Sequence, residues 1–68
     1  MSDFKQQFLK AQRELYEAKM RWHIVNVNNL LENPAAVAEH PDHMATIESE
    51  LGVIAEYADK LEVLDKYF

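Results

Sequence analysis

Apolar residues recur at alternating intervals of four and three along both halves of this chain. Phe4, Phe8, Ala11, Leu15, Ala18, Trp22 and Val25 form one stripe, and Met44, Ile47, Leu51, Ile54, Ala58 and Leu61 form another. A mean period of about 3.5 residues places each set on a single seam of an α-helix, the signature of helices that pack along their length. The spacing predicts an all-α chain.

Length makes that constraint tighter. Sixty-eight residues are enough for one domain, and a core of that size rarely supplies more than about 3–5 kcal/mol unaided. There is no cysteine to form a disulfide or thiolate metal site, so self-association is the remaining means of stabilisation. One glycine, two prolines and 49% hydrophobic residues do not describe a disordered chain. No signal or transit pattern opens the sequence, and no apolar run reaches the 18 or so residues of a membrane span. The expected setting is cytoplasmic.

Asp3 or Ser2 can cap the first helix, expected over about residues 3–32. Asn33-Pro34 ends it, because a residue preceding proline is pushed out of the helical region. A connector over 33–40 holds a short helix from Pro34 to Glu39, and His40-Pro41 breaks it. The second helix runs over about 41–66, with Asp42 complementing its dipole. Trp22 to Asn29 is β-branched and Asn-rich, which favours other local structure, but it continues the seam and is read as helix. Gly52 costs about 1 kcal/mol relative to alanine in a helix and marks a position where another helix could approach closely.

Two long helices with a short connection predict an antiparallel hairpin, residues 1–68 forming a single domain. Charge suggests its register. Residues 1–32 carry a net +1 and residues 33–68 a net −6. Setting Lys5 against Glu62 also brings Lys19 to Glu48 and Arg21 near Glu50, with Leu15 over Ile54 and Trp22 over Ile47 in the seam. Met20, Ile24, Val27, Leu30 and Leu31 then fall off the first seam, and Tyr57 and Leu64 widen the second. Surplus apolar surface of this kind marks an interface. These seven residues are the expected partner surface, with a homodimeric four-helix bundle as the first assembly and a higher oligomer as the second.

Chemistry-bearing constellations are weak. His40 and His43, with Asp42 beside them, are candidate metal ligands, but Pro41 separates them across a helix start. A polar capping loop is the simpler reading, so neither metal nor cofactor is expected. His23 falls on the outer flank of the first helix beside Trp22, where a surface histidine is the simpler reading and a pH-responsive contact the other. Ser2 and Ser49 are the only serines and neither stands in a nucleophile context. Asn29 falls on the first seam, where a buried Asn can fix register. Glu48, Glu50, Glu56, Asp59, Glu62 and Asp65 make the second helix acidic, which would let it mimic nucleic-acid phosphate in a partner's basic groove. Without a basic stripe of its own, the chain is not expected to bind nucleic acid directly. The function expected is that of a small non-enzymatic interaction protein, structural, adaptor or inhibitory, acting on itself or on an unidentified protein. A virus-encoded accessory protein has the same compositional profile.

Overall fold

The computed structural model describes residues 2–33 and 42–68. The short helix expected over 34–39 and the break at His40-Pro41 lie outside the described residues. Helix α1 spans Ser2–Leu31 and helix α2 spans Asp42–Tyr67, close to the sequence-based bounds. The Asn-rich stretch from Trp22 to Asn29 is helical throughout. Beyond Leu31 the last turn of α1 tightens: Glu32 N–H donates to the Asn28 carbonyl at 3.0 Å and Asn33 N–H to that of Leu30 at 3.3 Å. This shortening from four residues to three is how a helix end commonly satisfies its last carbonyls.

The helices pack antiparallel along their length. Arg13 meets Asp65, Tyr16 meets Tyr57 and His23 meets Glu50, so contacts ascend one helix as they descend the other. The expected ion pairs Lys5–Glu62, Lys19–Glu48 and Arg21–Glu50 do not form. Glu50 is engaged by His23 instead, and Lys19 lies over the Trp22 ring.

The face of α1 also differs from the expected one. Leu9, Tyr16, Met20, His23, Val27 and Leu30 turn toward α2, while Phe4, Phe8, Ala11, Leu15, Ala18, Trp22 and Val25 are exposed. On α2, the inward stripe comprises Ile47, Glu50, Ile54, Tyr57, Leu61 and Leu64. It keeps the expected Ile47, Ile54 and Leu61 but leaves Met44, Leu51 and Ala58 outside. The reason is that α1 carries two heptad stripes. Leu9, Arg13, Tyr16, Met20, His23, Val27 and Leu30 repeat with the same alternation of four and three. At about 100° per residue the two stripes lie roughly 160° apart, and periodicity cannot say which one faces α2. The polar members of the inner stripe find partners across the hairpin, which the wholly apolar outer stripe does not need.

Packing is thin. Val27, at 8% exposure, is the one buried hydrophobic residue among those described. The radius of gyration is 16.0 Å, against about 11 Å for a compact domain of this length, and the principal extents are 56 × 16 × 12 Å. The accessible surface is 5416 Å², whereas a compact monomer of 7.9 kDa presents about 4,400 Å². The hairpin therefore leaves roughly 1,000 Å² more in water than its mass requires.

Candidate contact surface

A polar cluster sits at the middle of the hairpin. His23 Nδ1 is in hydrogen-bond contact with Glu50 Oε2, both side chains being about one-fifth exposed. The Tyr57 ring stacks on His23 with centroids 6.5 Å apart and packs against Tyr16 at 5.7 Å. Lys60 Nζ lies over both tyrosine rings, at 5.5 Å from Tyr16 and 5.3 Å from Tyr57, and Gln12 Nε2 donates to the Tyr16 hydroxyl at 2.7 Å. Among the described residues no buried side-chain polar atom lacks a partner. The cluster thus joins the helices and fixes their register. Sequence reasoning placed His23 on the outer flank and missed it; the second heptad stripe through Tyr16, His23 and Val27 is the signal that points to it.

Toward the open end of the hairpin, Arg13 pairs with Asp65. The Asp65 carboxylate, through its hydrogen bond and then its charge, pushes the Arg13 guanidinium above its usual value. A groove of about 240 Å³ runs beside this pair, lined by Gln6, Leu9, Lys10, Leu64 and Phe68 as well.

The outer stripe of α1 is a long exposed apolar feature. Trp22 is 60% exposed and Phe4 73%. The Phe4 and Phe8 rings lie 6.1 Å apart, and Lys19 Nζ stands 5.4 Å from the Trp22 centroid. The stripe is continuous over 22 residues, about 33 Å of helix. Ile24 and Leu31 of α1 and Met44 and Leu51 of α2 are also exposed; at about 100° per residue they fall to the same flank of the two contact stripes, which makes an apolar patch along one edge of the hairpin.

These positions redistribute the expected partner surface. Met20, Leu30, Tyr57, Leu64 and above all Val27 line the interior of the hairpin, because α2 packs on the face once assigned to a partner. Ile24 and Leu31 remain outside. Gly52 is exposed, and a Cβ there would meet nothing within 4 Å, so no helix approaches it within the hairpin.

His43 and Asp42 open α2, and His40 lies outside the described residues. Among the described residues no three His, Cys, Asp or Glu side chains gather as a metal site would need. Ser49 stands exposed on α2. The acidic set is divided: Glu50 faces His23, Asp65 faces Arg13, and Glu56 pairs with Lys60 at 3.3 Å, one helical turn away. Among the described residues no helix is long and apolar enough to cross a membrane.

Comparison with known proteins gives no counterpart: no family model matches the chain, and no curated protein or solved structure is significantly similar to it.

Proposed function

We propose that this chain is a small helical interaction protein without chemistry of its own, acting in the cytoplasm through self-association and contact with a protein partner. The observation that carries this reading is the surface surplus. A hairpin with one buried hydrophobic among its described residues and roughly 1,000 Å² of excess exposure has about as much surface to bury as one side of a standard protein interface, about 800 Å². Large apolar residues supply much of that excess, and they are arranged as a continuous stripe and an edge patch.

Such a surface suits a structural piece, an adaptor or an inhibitor that works by contact. Three of the six acidic side chains expected to form a phosphate-like face are paired, Glu50 with His23, Asp65 with Arg13 and Glu56 with Lys60, which favours apolar contact over charge mimicry. Two copies would make a four-helix assembly.

The test is the mass of the assembly across a dilution series, by sedimentation or light scattering, together with capture of partners from cell extract. The reading expects a species at twice the chain mass that dissociates on dilution. A strictly monomeric chain at high concentration that also captures no partner overturns it.

A further inference from the structure

We propose that a second copy of this chain seats on the outer stripe of α1, antiparallel and about a two-fold axis. The result is a four-helix layer in the order α2, α1, partner's α1, partner's α2. The inference rests on the self-association reading above and adds the face, the direction and the register.

The stripe itself sets the kind of partner. Strict heptad spacing over 22 residues suits another helix with the same period, and a second copy of the stripe supplies one. Direction follows from side-chain size. Along the stripe, large and small residues alternate: Phe8, Ala11, Leu15, Ala18, Trp22, Val25. A parallel pairing would stack Phe8 on Phe8 and Trp22 on Trp22, with Ala–Ala gaps between. An antiparallel pairing sets six of the seven seam positions in three complementary pairs. Leu15 then faces Ala18, Trp22 faces Ala11 and Phe8 faces Val25 of the other copy, each pair occurring twice by symmetry. Large opposite small is how facing layers fill space without voids.

Charge supports the same register independently. In an antiparallel pair each flank faces the same flank of its partner. One flank of the stripe carries Glu14 and Arg21, and this register sets Glu14 opposite Arg21 on both sides of the two-fold axis. The other flank carries Gln12 and Lys19, which likewise face each other, so no like charges meet. Among the described residues neither Glu14 nor Arg21 makes an ion pair. Geometry permits the arrangement: the outer stripe lies about 160° around α1 from the α2 contact, so the two α2 helices stand on opposite sides of the layer. The excess surface of roughly 1,000 Å² per chain is what such an interface would cover.

The experiment is a charge-exchange series on the full chain. Glu14→Arg alone places arginines opposite one another, and Arg21→Glu alone places glutamates so. Each should self-associate about 10-fold more weakly than the parent, while an equimolar mixture should form heterodimers at near-parent affinity. Leu15→Glu should abolish the dimer, and Leu51→Glu, on the edge patch, should leave it intact. Trp22 emission reports the same event, shifting to the blue as the parent associates and staying unshifted in Leu15→Glu. Far-ultraviolet circular dichroism separates loss of folding from loss of association. A parent that dimerises with no recovery on mixing the two charge variants overturns the register. A dimer lost through Leu51→Glu but not Leu15→Glu, with helicity kept in both, overturns the face while leaving self-association standing. A parent that never dimerises overturns the self-association reading itself.

Discussion

Val27→Ala and Val25→Ala make the same chemical change two residues apart in one helix, and the structure assigns them different costs. Val27 is 8% exposed against α2, whereas Val25 is 49% exposed on the outer stripe. Removing two buried methyl groups at about 0.8 kcal/mol each costs about 1.6 kcal/mol. Alanine's better helix propensity returns up to about 0.7 kcal/mol, so Val27→Ala should destabilise the hairpin by about 1 kcal/mol. Half-exposed Val25 loses at most about 0.8 kcal/mol of burial and receives the same propensity gain, so its substitution should be nearly neutral. The assay is thermal unfolding by circular dichroism at a concentration below dimer dissociation. For a chain of this size about 1 kcal/mol corresponds to roughly 4–8 °C in Tm. Val27→Ala should fall by that amount and Val25→Ala should hardly move. At higher concentration Val25→Ala should begin to cost stability as the proposed dimer forms. Equal losses at the two sites in the dilute limit, or a larger loss at Val25, would refute the assignment of faces on α1.

Gly52→Ala should raise stability by about 0.8–1 kcal/mol, since a Cβ there meets nothing within 4 Å, and should leave self-association unchanged; urea unfolding and sedimentation check both. Glu50→Ala should cost about 1 kcal/mol by removing the partner of a mostly buried His23, read as a lower urea midpoint. Arg13→Ala should have an effect that disappears in high salt, because the Arg13–Asp65 pair is solvent-facing; melting at low and high ionic strength tests this. Tyr57→Ala should loosen the hairpin more than Tyr16→Ala, as Tyr57 joins His23, Tyr16 and Lys60 together, and amide exchange across α1 residues 16–23 would show it.

Much of the architecture is legible in the residues alone. The three-and-four spacing, Asn33-Pro34 and the length of each segment determine two long helices and where they stop. The absence of cysteine and the shortness of the chain determine that stability must come from helix packing. The apolar excess, too, is visible as a count: more hydrophobic positions than one helix pair can cover. What only the tertiary structure decided is which stripe of α1 meets α2. Two heptad stripes on opposite sides of one helix have the same period, and the inner one is apolar at five of its seven positions, so period alone does not separate them. Non-local pairing breaks the tie. His23 finds Glu50, Tyr16 finds Tyr57 and Lys60, and Arg13 finds Asp65 only when the inner stripe is turned inward and α2 is slid to match. Charge counting along the sequence chose other partners because exposed lysine–glutamate pairs are worth little and cannot outweigh the burial of a mixed aromatic cluster. The α1 stripe that looked like the core is thereby left in water, and five of the seven residues expected at a partner surface turn toward the interior.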